Sequence, residues 1–182
     1  MARPIAEGIL VLAGVRRARG WPRRVRSSIL GPPFDPDHRR TELDDYEAIR
    51  RLIALYGQLL DSKRFDEWGD LFTGDARFRV WGQCHIGRDA IAREICGMQP
   101  EAPGKHVVLC PVIDLDDAYH ARSWTDLSAF ASSGEGFVIA TIGRYHDRLV
   151  KDPTDQLWRF AERTLVMAGE SAPEGVDPSP AR

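Results

Sequence analysis

The residues best suited to move a proton near neutral pH are five histidines, His38, His85, His106, His120 and His146. An imidazole with a pKa of about 6.5 can take a proton from carbon or return one to a leaving hydroxyl, provided a partner holds one ring nitrogen. None of the five has the H-x-x-x-H spacing that places two rings on one helical face for a metal. The cysteines Cys84, Cys96 and Cys110 are odd in number and lack a C-x-x-C pair. Neither a metal nor another cofactor is therefore expected, and the cysteine usage points to a reducing, cytoplasmic setting.

Around these residues the chain alternates between two periods. From Asp44, the apolar positions Ile49, Leu52, Ile53, Tyr56, Leu59 and Leu60 recur at helical spacing, with Asp44 or Asp45 available as an N-cap. Phe65, Trp68, Leu71 and Phe72 predict a short second helix, closed by a turn at Thr73-Gly74-Asp75. Ala76 to Cys84 alternates as a strand, and Arg88 to Cys96 returns to a helical stripe. Four long segments then read as strands: Lys105 to Leu115, Tyr119 to Ala131, Phe137 to Val150 and Gln156 to Met167. Their short connections imply antiparallel neighbours. The order α-α-β-α-β-β-β-β is that of an α+β domain, in which a curled antiparallel sheet forms a cone-shaped half-barrel with helices packed inside.

The formal charge of −2 gives no general argument for nucleic acid, and no apolar run approaches the roughly 18 residues of a membrane helix. Residues 1–40 hold nine arginines against three acids, +6, which leaves −8 for the remainder. Within them Ile5 to Val15 has some likeness to a signal sequence, but Glu7 interrupts it and the arginines follow it. The expected organisation is a flexible basic extension over 1–40, a folded domain over 41–169 and a disordered tail over 170–182, rich in Pro, Ser, Ala and Gly.

Residue by residue, the candidate positions admit two readings. Asp61 suits an N-cap for the second helix or a surface acid, although an acid in the last turn of a helix meets the negative end of the dipole. His106 alternates with Val108 and Cys110, which fits a pocket lining and a core histidine equally. Tyr56 lies on the apolar stripe of the first helix, as a core tyrosine would. Arg163 and Asp126 could pair across strands on the outer face of the sheet, and Gly143-Arg144-Tyr145 reads as a close-packing point. At about 100° per residue, Asp61 stands roughly 140° from Tyr56 around the helix, so the two converge only if the helix bends or ends between them. Gly57 is the place where such a bend could form.

Several pieces in order carry a resemblance. They are Tyr56-x-x-x-x-Asp61-x-x-x-Phe65-x-x-Trp68-x-x-Leu71-Phe72-x-x-Asp75-Ala76, Gly87-Arg88-x-x-Ile91, His106, Ala118 to Trp124, Gly143-Arg144-Tyr145-x-Asp147 and Trp158-Arg159-Phe160-x-x-Arg163. Together they resemble the SnoaL-like branch of the nuclear transport factor 2 superfamily over nearly all of Asp44 to Gly169. The placement of Asp61 at the end of the first helix and of His106 at the opening of the second strand is similar to that in scytalone dehydratase, bile-acid 7α-dehydratase and hexachlorocyclohexane dehydrochlorinase. The resemblance implies an Asp61–His106 dyad for acid/base chemistry. Tyr56 and Arg163 would stabilise developing negative charge, and Asp126 corresponds to a further acid of the bile-acid enzyme. It also implies an apolar pocket, a small hydrophobic ligand and a homodimer or homotrimer. The base of ketosteroid isomerase has no counterpart, since its strand here carries Arg77, Phe78, Arg79 and Val80. The expected activity is that of a cofactor-independent lyase or isomerase, dehydratase-like, on a small hydrophobic oxygenated ring compound. Two alternatives are a ligand-binding or polyketide-cyclase-like module and a non-catalytic partner. The second rests on Leu59-Leu60-Asp61 and Phe65-x-x-Trp68, which also resemble the β subunit of ring-hydroxylating dioxygenases.

Overall fold

A computed structural model describes residues 36–180, with side chains from residue 41 onward. The expected basic extension lies outside the described residues up to residue 35. Helix α1 spans Pro36–Asp61 and so begins two turns before the predicted start. Proline is well suited to a first helical turn, and no breaker separates it from the apolar stripe. The stripe itself is buried as expected: Ile49, Leu52, Ile53, Tyr56, Leu59 and Leu60 all face the core. Because the helix starts early, Asp45 is not a cap. It is buried inside the helix, where its Oδ1 accepts hydrogen bonds from Lys151 Nζ at 2.8 Å and Trp158 Nε1 at 2.9 Å.

Helix α2 is the short Phe65–Gly69, anchored by the fully buried Trp68. Strand β1, Phe72–Val80, follows directly and contains Thr73-Gly74-Asp75, so the expected turn is absent. Turn-forming residues here produce an irregularity instead, since the register against the last strand shifts between Phe72 and Arg77. Such a bulge bends a strand without ending it. The predicted Ala76 to Cys84 strand is in turn broken into a hairpin. Trp81 and Gly82 take positive φ of 49° and 74°, the geometry of a two-residue hairpin turn, and β2 (Gln83–Ile86) returns along β1. Helix α3, Arg88–Gly97, packs on β1 through Ile91 and Ile95.

The four long strands stand where the alternation placed them: β3 Gly104–Leu115, β4 His120–Ser132, β5 Phe137–Lys151 and β6 Trp158–Met167. They join β1 and β2 in one curled, unclosed sheet of order β2-β1-β6-β5-β4-β3. Every pairing is antiparallel except that of β1 with β6, which is parallel and joins strands separated in the chain by α3 and four other strands. The inner face carries the core, in which the Tyr56 ring meets the rings of Trp68, Tyr145, Phe160, Phe72 and Phe78 at centroid distances of 5.3 to 6.5 Å.

Residues 170–180, whose composition reads as disordered, form no helix or strand but are tied to the outer face. The Asp177 carbonyl accepts from His146 Nδ1 at 2.8 Å and its carboxylate pairs with Arg148 at 2.9 Å. Among the described residues no helix is long and apolar enough to cross a membrane.

At Gly143 the sheet leaves no room for a side chain, since a Cβ would lie 2.5 Å from the carbonyl oxygen of Val166. Gly143→Ala is therefore expected to lower stability by about 1–3 kcal/mol, the usual cost of overpacking. The midpoint of urea unfolding measures it, and an unchanged midpoint would contradict the close packing.

Candidate functional site

Strand β3 forms one edge of the sheet, so every second N–H along it points away from β4 and needs a partner. At His106 that partner is Asp61, the last residue of α1. The His106 amide donates to both carboxylate oxygens at 3.1 Å. The His106 ring lies on the inner face, cross-strand from Ala129, and its Nδ1 is 2.7 Å from Asp61 Oδ1. Asp61 also pairs with Lys105, whose Nζ is 3.0 Å from Oδ2. A carboxylate with three such partners is held in one orientation. The contact engages Nδ1 and leaves Nε2 free of Asp61, on a side chain that is 21% exposed.

Tyr56 and Asp61 do not converge, as the helical angle warned. Helix α1 continues without a break past Gly57 to Asp61, and Tyr56 joins a different cluster in the core. Its hydroxyl accepts from the Tyr145 hydroxyl at 3.4 Å. Arg163 stands beside both, with its guanidinium carbon 4.1 Å from the Tyr56 ring centroid, 4.0 Å from that of Tyr145 and 3.9 Å from that of Phe160. The pairing of Arg163 with an outer-face acid is not found. Arg163 is fully buried on the inner face and bonds the Asp147 carboxylate at 2.8 and 2.9 Å, its directly opposed residue on β5. Ser123 Oγ donates to the same carboxylate at 3.0 Å.

Asp126 lies apart from both clusters. It follows the inward Thr125 and precedes the inward Leu127, so its side chain emerges on the outer face, where it binds Arg144 Nε at 2.6 Å. Beside it on that face, a cleft of about 690 Å³ opens between Leu109, Arg144, His146 and the segment after Met167. Asp61 and His106 do not line this cleft. Among the described residues no group of three or more His, Cys, Asp or Glu is placed to hold a metal ion.

Sequence reasoning passed over Asp147, Tyr145, Ser123 and Lys105. The alternation Tyr145-x-Asp147 was visible, and it sends both side chains to one face. The partner of that face, Arg163, is identified only by register. Burial pushes the Tyr56 phenol well above its ordinary value, with the neighbouring Tyr145 adding to the effect. Burial likewise raises Tyr145, against an opposing pull from Arg163. For Arg163, burial disfavours the charge, but the Asp147 carboxylate outweighs it and holds the guanidinium cationic.

A curled, unclosed six-stranded sheet wrapped on three helices is an α+β architecture of NTF2-like fold. The chain belongs to the SnoaL-like domain family, whose model matches residues 41–164. No curated protein matches it. Three solved structures show the breadth of the fold. An NTF2-like protein with a cystatin-like fold from Novosphingobium aromaticivorans is 24% identical, with 75% of this chain and 90% of that one covered and a TM-score of 0.68. A protein provisionally assigned as a scytalone dehydratase from the same organism is 23% identical, over 79% and 99% of the two chains, at a TM-score of 0.63. The β subunit of a provisionally assigned aromatic-ring-hydroxylating dioxygenase, also from that organism, is 21% identical over 69% and 90%, at 0.58.

The two tyrosines give an alkaline signature. Their folded pKa values are raised, so above pH of about 10 the unfolded chain releases phenolic protons that the folded chain retains. The native state then binds more protons, and this contribution to stability, complete below that pH, declines as pH rises. Tyr145→Phe is expected to flatten the loss of urea midpoint between pH 9 and 11, and an unaltered slope would show that the phenol titrates freely in the folded state.

Proposed function

We propose that this chain is a cofactor-independent lyase or isomerase, dehydratase-like, acting in the cytoplasm on a small hydrophobic oxygenated ring compound through Asp61 and His106. The observation that carries the reading is the 2.7 Å contact between His106 Nδ1 and a buried Asp61 carboxylate. In this mechanism Asp61 fixes the tautomer and stabilises the imidazolium as it forms, as the carboxylate does in hydrolytic triads. Nε2 of His106 removes a proton from the carbon beside the leaving group. The C–H electron pair becomes the new C=C bond as the C–O bond breaks, and the leaving hydroxyl takes the proton from Nε2 to depart as water.

Tyr56 is kept neutral by burial and, lying in the core apart from the Asp61–His106 pair, is assigned no contact with substrate. Arg163, committed to Asp147, supports developing negative charge on a substrate oxygen through its field rather than by contact. Asp126 has no part in this scheme, since it faces the opposite side of the sheet. On a panel of hydroxylated alicyclic and aromatic ring compounds, His106→Ala and Asp61→Asn are each expected to reduce kcat/KM by about 100-fold or more. Unchanged turnover in both variants would sink the mechanism.

The β-subunit reading is favoured by a separate observation, the likeness to the dioxygenase subunit. Under that reading the chain would co-purify with a Rieske-type α subunit and tolerate His106→Ala. The outer face also exposes Leu109 and Val112 on β3 and Ile139 and Ile142 on β5, the two strands that flank β4. An apolar patch of this kind marks an association surface, and we assign it to a homodimer or homotrimer. Sedimentation at micromolar concentration is expected to show a species larger than the monomer, and a monomer would overturn the assignment.

A further inference from the structure

We propose that Gly57 is the positioning residue of the Asp61–His106 pair, an inference that deepens the proton-transfer reading of that pair. Gly57 precedes Asp61 by four residues in an unbroken helix, so the two share one face of α1, about 40° apart around its axis and one turn apart along it. That face lies on the edge strand β3. A Cβ at Gly57 would stand 3.0 Å from the His106 carbonyl oxygen and 3.4 Å from the His106 Cβ. The helix thus comes as near to His106 as bare backbone permits.

This closeness decides where Asp61 lies. Its side chain is short, with a single methylene between backbone and carboxylate, yet it reaches the His106 amide at 3.1 Å and the ring at 2.7 Å. A methyl group at position 57 would push helix and strand apart by a few tenths of an ångström, because the obstacle is backbone and cannot rotate aside. The carboxylate could not follow the strand, and both hydrogen bonds would lengthen toward the limit at which they weaken steeply. Glycine is otherwise a poor choice in the interior of a helix. Its presence one turn before the dyad is the kind of local cost that positioning a site explains. Shifts on this scale matter for chemistry, since a misplacement of about 1 Å can cost a factor of about 100 in rate.

Amide hydrogen exchange in the full chain tests the assignment without a substrate. The His106 amide is held by Asp61, whereas the Val107 amide faces β4, so the pair reports local against general loosening. In Gly57→Ala and Gly57→Ser, His106 protection is expected to fall by about tenfold or more, as for a lost bond to a charged group, with Val107 unchanged. In an Asp61→Asn background, where the bond is already weakened, Gly57→Ala should add little further loss. Wild-type protection of His106 in both glycine variants would overturn the proposal. So would equal losses at His106 and Val107, an undiminished loss in the Asp61→Asn background, or failure of both variants to fold, each of which assigns Gly57 to general packing. If the exchange result holds while His106→Ala and Asp61→Asn leave turnover untouched, the positioning stands and the proton-transfer reading is the one that falls.

Discussion

An edge strand presents hydrogen-bonding groups that its own sheet cannot satisfy, and in this protein that constraint is met at the site of interest. The outward amide of His106 on β3 is taken up by Asp61 at the end of α1. One carboxylate at the end of the helix thereby satisfies an outward amide of the sheet edge and holds the imidazole. The helix must lie against the strand for this to occur, and Gly57 is the residue that lets it. Loss of this contact would leave a buried acid and an open edge together, so the local architecture and the candidate chemistry share one set of bonds.

Further inside, the fold holds a second charged element. Arg163 and Asp147 are both fully withdrawn from solvent, enclosed by the rings of Tyr56, Tyr145 and Phe160 and completed by Ser123. A buried ion pair is weak evidence for stability, because desolvation offsets much of the attraction. What it does provide is register: Asp147 faces Arg163 only if β5 and β6 are correctly aligned, and a slip of one residue would send both to the outer face. The aromatic walls contribute cation–π attraction on three sides, which compensates in part for the missing water. Burial keeps the phenols beside this cation protonated, with the Tyr145 hydroxyl donating to that of Tyr56.

The outer face follows different rules. Its charges are paired locally, Asp126 with Arg144 and Arg148 with Asp177, and the segment after β6 crosses it to cover Trp124 and His146. Leu109, Val112, Ile139 and Ile142 remain exposed beside these pairs. Two faces of one sheet thus differ, the inner one enclosing polar groups within the core and the outer one carrying exposed ion pairs and apolar side chains.

Much of this was legible in the residues alone. Period 3.6 over Ile49 to Leu60 and period 2 over the four long strands reflect burial of one face, a property that each segment carries in itself, so the α+β class and these five element positions could be read directly. The hairpin at Trp81-Gly82 was missed because two non-repeating dihedrals interrupt the strand without disturbing its alternation. Family resemblance brought Asp61 and His106 together, whereas spacing alone left one as a cap and the other undecided. Contacts between distant segments lay beyond sequence. Arg163 found Asp147 rather than Asp126 because strand register chose the face, Asp45 became a buried acceptor because the helix began early, and Tyr56 was parted from Asp61 because α1 continues unbroken between them. Local periodicity determined which side of each element is apolar; only the tertiary structure decided which polar residues on those sides would meet, since pairing depends on register and helix docking across many intervening residues.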